Sequence, residues 1–305
     1  MTTLALHSGA ATERLARRRH FLMCPPTYFD VAYAINPWMD PSVPVDRALA
    51  AAQWTALVDT YRAHGHRVDL LEPVPGLPDM VYAANGATVV DGRVLRARFA
   101  HRQRRAEAAH HESWHLAHHL AHNDVAGSTG VRAGRAANEA EGDFAVLSSR
   151  VLAGYGFRTT RAAHRELAGL TGRPVLGLEL VNPRFYHLDV ALTVLDDEAD
   201  HIAYYPAAFS RSSQRLLAQL FPDALIADAT DAAVLGLNCV SDGRHVFVPA
   251  GADHLTRLLD GSGYQPVPID LSELVKGGGS VKCCTQEIRA AVPSTSVQPE
   301  AGAHP

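Results

Sequence analysis

Four segments of this chain share one plan: an apolar strand, a tight turn, and a second apolar strand. They read ANGATVVDGRVLRARF, GDFAVLSSRVLAGYGF, HLDVALTVLDDEADHIAYYP and LNCVSDGRHVFVPAG. The runs are short, rich in Val, Leu and aromatic residues, and bounded by Gly, Asp or Asn, which is the pattern of paired strands. A helical segment follows each unit, and VDRALAAAQWTALVDTYRAHG and AAHRELAGLTG are the clearest amphipathic examples. The opening strand FLMCPPTYFDV supplies a fifth unit. The polar residues that open the units, Asn85, Asp143, His187 and Asn238, then Cys283, lie between 44 and 58 residues apart, a loose period that implies internal repetition. Repeats of strand, turn, strand and helix can close into a ring whose polar openings converge on a central channel. An ordinary α/β sheet with hairpin insertions is the alternative that these patterns leave open.

With 305 residues, 47% of them hydrophobic and 20% charged, the chain can form one large domain or two small ones. The body is expected over residues 20–292, with loosely ordered ends at 1–19 and 293–305, where polar residues run without apolar periodicity. A net charge of -4 provides no global basic field to draw nucleic acid or an anionic membrane surface, so a small solute is the expected partner. No window approaches 18 uninterrupted apolar residues, and the basic residues of the N-terminus follow its apolar stretch, the reverse of a secretory signal. Four irregularly placed cysteines, Cys24, Cys239, Cys283 and Cys284, suggest no disulfide framework. A reducing, cytoplasmic setting is expected, and the sequence leaves both a monomer and a homo-oligomer open.

Two segments carry chemistry. In KGGGSVKCCT the glycines allow positive φ and close backbone approach to a ligand, with cysteines just beyond. If these begin a strand, Cys283 and Cys284 point to opposite faces and only one can face a site. In RFYHLDVAL, His187 and Asp189 would share one strand face, pairing an imidazole with a carboxylate that helps it hold a proton near neutral pH. Each alone reads equally as a structural feature. Together with the acidic NEAEGDF segment and the arginines of RQRRAE and GYGFRTT they point to a nucleophilic site. The run HHESWHLAHHLAH, with His111, His115, His118, His119 and His122 at helical spacing, reads as a solvated helix face rather than a metal site. Asn238 is expected to order a strand start, and Cys239 and Cys24 to be structural.

These motifs, in this order, resemble the guanidine-modifying (amidinotransferase) superfamily over about residues 20–290. That family includes arginine deiminase, dimethylargininase, agmatine deiminase, glycine amidinotransferase and arginine dihydrolase. The resemblance implies a five-bladed pseudo-symmetric α/β propeller (pentein) of ββαβ-like units, a cysteine nucleophile at Cys283, the family histidine at His187 and the H-x-D carboxylate at Asp189. It implies no cofactor and no metal. The acidic motif of many relatives is E-G-G-D; here Glu139-Ala140-Glu141-Gly142-Asp143 is one residue longer. With the register fixed on Asp143, Glu139 or Glu141 is the catalytic carboxylate, and Glu139 is favoured because some relatives read E-G-x-G-D. Arg104 and Arg158 fall where family arginines grip a substrate α-carboxylate, and Asp143 is expected among the substrate ligands.

One departure bears on the product. Dimethylargininase-like relatives carry an acidic pair where this chain has Ala84 and Asn85, whereas arginine dihydrolases carry Asn there and a second Asn matched by Asn36 in YAINPWMD. The expected substrate is therefore L-arginine or a methylated arginine. The best expectation is two rounds of hydrolysis to L-ornithine, carbon dioxide and two ammonia. A single round to citrulline, by a dimethylargininase or an arginine deiminase, is the alternative, and a non-catalytic arginine-binding protein is a third.

Overall fold

The computed structural model describes residues 14–119 and 130–290. Among these residues fifteen strands form five separate three-stranded sheets of identical plan. In the second sheet β3 (Ala87–Val90) pairs antiparallel with β4 (Arg93–Arg96), which pairs parallel with β5 (Val131–Ala133). The third holds β6 (Phe144–Val146), β7 (Val151–Tyr155) and β8 (Val175–Glu179), and the fourth β9 (Leu192–Asp196), β10 (His201–Tyr204) and β11 (Leu225–Ile226). The fifth holds β12 (Val240–Ser241), β13 (His245–Pro249) and β14 (Gln265–Ile269). In the first, β1 (His20–Met23) lies parallel to β2 (Arg67–Leu70) and antiparallel to β15 (Gln286–Glu287), so strands from both ends of the body close the ring. The first strands of neighbouring sheets touch: β15 meets β3, β6 meets β9, and β9 meets β12. The architecture is a five-bladed α/β propeller, not an open sheet with hairpin insertions.

Local chemistry explains the blades. The β3–β4 turn is Asp91-Gly92, with φ of 51° and 73°, the two positive values that a two-residue turn matched to strand twist requires. Parallel pairing of middle and outer strands needs a crossover, and each blade supplies helix there: α1 (Arg47–Ala63), α2 (Glu107–His119), α3 (Arg161–Thr171), α4 (Arg211–Leu220) and α6 (Asp253–Gly261). Two short helices, α5 (Ala229–Ala233) and α7 (Ser272–Val275), complete the set. Helix α1 starts where the Asp46 carboxylate accepts from the Leu49 amide at 2.9 Å. It buries Ala50, Trp54, Leu57, Val58 and Tyr61, a stripe at three- and four-residue spacing.

Two expectations are corrected here. Residues 14–19, expected to be loose, are held: the Arg14 guanidinium lies 3.6 Å from the Tyr264 ring centre, and Arg17 and Arg19 pair with Asp196 and Asp197 at 2.9 and 2.7 Å. The outer ends, 1–13 and 291–305, lie outside the described residues, as does His122. The histidine helix is not solvated on the side where it meets the ring. His111 is 1% and His115 3% exposed, and the His111 ring occupies the space where a side chain at Gly86 would stand. His115 meets Gln286 of the closing strand at 2.8 Å, and His118 stacks on Trp114. Neutral imidazoles can pack as flat polar wedges, which helical spacing alone does not distinguish from a wet face. Among the described residues no helix is long and apolar enough to cross a membrane, and all four cysteines are buried and free.

Candidate active site

The five polar openers gather at one end of the ring, because each stands at the entrance to the first strand of its blade. Asn85 ends a 3₁₀ turn (Ala83–Asn85) ahead of β3, Asp143 follows another (Ala140–Gly142) ahead of β6, and His187 precedes a third (Leu188–Val190) ahead of β9. Asn238 and Cys283 stand just before β12 and β15.

Cys283 is not at a strand start but in a tight turn, where the Cys284 amide donates to the Ser280 carbonyl at 3.1 Å. This curl, rather than strand alternation, separates the two thiols: both are part of the main core, and of the two Cys283 lines the pocket. The Asn238 side-chain oxygen accepts from the amides of Ser280 and Cys283 at 3.0 and 3.1 Å, and its nitrogen donates to the Asp189 carbonyl and the Cys283 sulfur at 3.1 and 3.2 Å. Asn238 is thus a site residue that sequence reasoning assigned only to a strand start, although it is one of the five periodic openers. Glycines let Tyr82 and Asn36 pack against the segment that leads to Cys283. A Cβ at Gly277 would lie 2.1 Å from the Tyr82 hydroxyl, and one at Gly278, whose φ is +92°, would lie 2.7 Å from the Asn36 amide.

His187 and Asp189 do not share a strand face, since the chain between them enters a 3₁₀ turn. They diverge to different partners. His187 Nε2 lies 2.8 Å from Glu139 Oε2, which also receives Arg158 Nη1 at 2.9 Å. Burial alone would raise the Glu139 carboxyl, but Arg158, His187 and Arg104 outweigh it and hold it well below the usual carboxylate range. His187 Nδ1 is buried without a hydrogen-bond partner. Asp189 instead stands 3.1 Å from the Cys283 sulfur, with its other oxygen buried and unpartnered. Burial pushes Asp189 up to about 6, against the Cys283 hydrogen bond and the Lys282 charge. Burial and the Asp189 charge together push the Cys283 thiol up, and a cation brought beside the sulfur would act in the opposite direction.

Glu141 turns away from His187. It pairs with Lys282 at 2.5 Å and Arg289 at 2.6 Å, on the wall of a second cavity that Asp189 also borders. Asp143 does not line the pocket at Cys283. Its carboxylate accepts from the Leu188 amide at 3.1 Å, fixing the turn that carries His187 and Asp189.

That pocket is lined by Asn36, Asn85, Arg104, Arg158 and Cys283 among others. Asn36 Nδ2 donates to the Gly277 carbonyl at 3.1 Å and its oxygen accepts from the Trp38 amide at 2.9 Å. Asn85 Nδ2 donates to the Glu139 carbonyl at 3.3 Å and its oxygen accepts from Arg104 Nη1 at 2.8 Å. Arg104 is clasped by Glu107 at 2.8 Å, and Arg158 donates to the Ile35 carbonyl at 2.7 Å. Five N–H groups per guanidinium leave both arginines with capacity for a further acceptor. Asp79, which the sequence reading passed over, is on the same wall, 1% exposed, with Oδ1 unpartnered and Oδ2 accepting from the Tyr33 hydroxyl at 2.9 Å. Its signal was only a Pro-Asp pair ahead of VYAANG, which any turn can contain.

A scan against protein-family models finds no match. The chain is 50% identical over 286 residues to N(G),N(G)-dimethylarginine dimethylaminohydrolase of Mycobacterium tuberculosis, covering 93% of this chain and 90% of that one. It is 34% identical over 278 residues to the bifunctional arginine dihydrolase/ornithine cyclodeaminase AgrE of Nostoc sp., covering 90% of this chain but 38% of AgrE. Among solved structures, the N-terminal domain of an ArgZ variant covalently bound to a reaction intermediate superposes with a TM-score of 0.82 at 30% identity, over 90% of this chain and all of that domain.

Proposed function

The chain belongs to the guanidine-modifying family of N(G),N(G)-dimethylarginine dimethylaminohydrolases and arginine dihydrolases, and we propose that within it this protein hydrolyses L-arginine twice, giving L-ornithine, carbon dioxide and two ammonia. The observation that carries the reading is the Asn85 amide on the wall that also holds Cys283.

In this reading the α-carboxylate of the substrate lies between Arg104 and Arg158, and the unpartnered oxygen of Asp79 receives the α-ammonium. The guanidinium then points at Cys283, with Asp189 and Glu139 supplying negative charge to a group that can only donate hydrogen bonds. Its arrival beside the sulfur favours loss of the thiol proton to solvent, and the thiolate attacks the central carbon; the sulfur regains a proton when the carbon–sulfur bond breaks. One nitrogen leaves as ammonia with a proton from His187, whose Nε2 stands 2.8 Å from Glu139 Oε2. An S-alkylthiouronium remains on Cys283. Water, giving its proton to His187, adds to the same carbon, the carbon–sulfur bond breaks, and citrulline forms. A second cycle on the ureido carbon expels the second ammonia. The resulting S-thiocarbamate is hydrolysed to the carbamate of ornithine, which loses carbon dioxide.

The second cycle needs a group that tolerates the neutral ureido oxygen. A carboxylate at position 85 would repel it, whereas an amide can donate to it. The prediction is that Asn85→Asp releases citrulline as its end product, with ornithine formation down at least ~100-fold, the cost of a lost hydrogen bond plus a repulsive contact. Chromatographic amino-acid analysis of exhausted reactions reads this. Unchanged ornithine from the Asn85→Asp enzyme contradicts the assignment.

A second reading is favoured by the 50% identity to the mycobacterial enzyme over 93% of this chain. It uses the same Cys283, His187 and Glu139 for one hydrolysis of dimethylarginine to citrulline and dimethylamine. Supplying arginine and dimethylarginine separately distinguishes the two by which is turned over and by whether ornithine appears.

A further inference from the structure

The Asn85 amide stands between two partners that each accept only one of its ends. Arg104 Nη1, 2.8 Å from Asn85 Oδ1, can only donate, and the Glu139 carbonyl, 3.3 Å from Asn85 Nδ2, can only accept. A reversed amide would set donor against donor on one side and acceptor against acceptor on the other. Arg104 itself cannot turn away. Glu107 holds its Nε and Nη2 at 3.0 and 2.8 Å, the Asp79 carbonyl accepts from Nη2 at 3.2 Å, and the cation lies 4.7 Å from the Phe99 ring centre. Both Arg104 and Glu107 are buried. The amide and the imidazole both pack against Gly142: a Cβ there would lie 2.4 Å from Asn85 Nδ2 and 3.0 Å from His187 Nδ1, so only glycine lets the amide nitrogen stand beside the unpartnered imidazole nitrogen.

We propose that Arg104 is the positioning residue that makes Asn85 a one-way donor: it locks the amide so that the NH₂ faces the reacting group, and thereby selects the ureido group of citrulline for the second hydrolysis. The inference rests on the two-cycle reading and deepens it. A locked NH₂ offers a hydrogen bond to the ureido oxygen and nothing to a guanidinium, which has no acceptor. The first cycle then relies on Asp189 and Glu139, and the second on the Arg104–Asn85 pair. The role is separate from any grip on the substrate α-carboxylate, since arginine and citrulline carry the same carboxylate.

The test compares kcat/KM for arginine and for citrulline, each supplied alone, in the wild type, Arg104→Met, Arg104→Lys and the double variant Arg104→Met/Glu107→Leu. The double variant removes both buried charges, so a folding defect from an orphaned Glu107 does not obscure the outcome. Loss of a carboxylate contact or of general packing lowers both constants alike and leaves their ratio unchanged. The expected result is a fall of about tenfold or more in the citrulline-to-arginine ratio for Arg104→Met and the double variant, with Arg104→Lys, which restores a donor-only neighbour, recovering much of it. A wild-type enzyme that makes ornithine while all three variants keep its ratio overturns the positioning role and leaves the two-cycle reading intact. A wild type that makes no ornithine from either substrate overturns both.

Discussion

At the scale of single residues the site is a set of paired polar groups with one unmet need each. Asp189 has a buried oxygen without a partner, His187 a free Nδ1, and Asp79 a free Oδ1, and a substrate bearing a cation at each end answers the two carboxylates. The titration of Asp189 follows from this. Its carboxyl, pushed up to about 6 by burial, holds a guanidinium only when ionised, so kcat/KM for arginine should fall about tenfold per pH unit once the pH drops below about 6. A profile measured between roughly pH 5 and 8 that stays flat to its acid end contradicts the role given to Asp189. Much of this constellation was legible in the sequence, because Cys283, His187 and Asn85 recur as polar openers of a repeat. What was not legible is who pairs with whom. His187 and Asp189 are two residues apart yet serve different partners, and Glu139 reaches His187 while Glu141, also two residues away, holds Lys282 and Arg289. Those choices are made by 3₁₀ turns, whose residue directions neither a period of 2 nor a period of 3.6 describes.

At the scale of elements, helix α2 is the piece most different from its sequence appearance. Its start supplies Glu107, which holds Arg104, and one turn later His111 lies in the space left by Gly86, next to Asn85. Burial pushes His111 down to about 3, so the folded protein holds it neutral while the unfolded chain protonates it near 6.5. A base with a folded value below its unfolded one costs stability as pH falls through that window. At pH 5 the cost reaches about 2 kcal/mol, from 1.36 kcal/mol per unit. His111→Leu should therefore lose less melting temperature than the wild type between pH 7 and pH 5. Equal losses in the two proteins contradict the burial of a neutral imidazole there. The strands were far easier to read than this helix, since the Asp-Gly turn at 91 and 92 and alternating apolar runs act locally, whereas the burial of His111 depends on the distant ring it packs against.

At the scale of the whole molecule, ring closure is what converts five weak local signals into a site. Cys283 and Asn36 come from near opposite ends of the body, and β15 pairing with β1 brings both to the pocket that Asn85 and Arg104 border. In the proposed two-cycle reaction the product is decided by a small difference, an amide in place of a carboxylate at position 85. The most direct measurement follows the fate of the guanidino carbon: L-arginine labelled there with ¹³C, turned over by the wild type and observed by NMR. The label is expected to appear as carbon dioxide and bicarbonate, with ornithine formed in equal amount and two ammonia for each. Label that comes to rest in citrulline, or arginine left intact while dimethylarginine is consumed, contradicts the two-cycle reading.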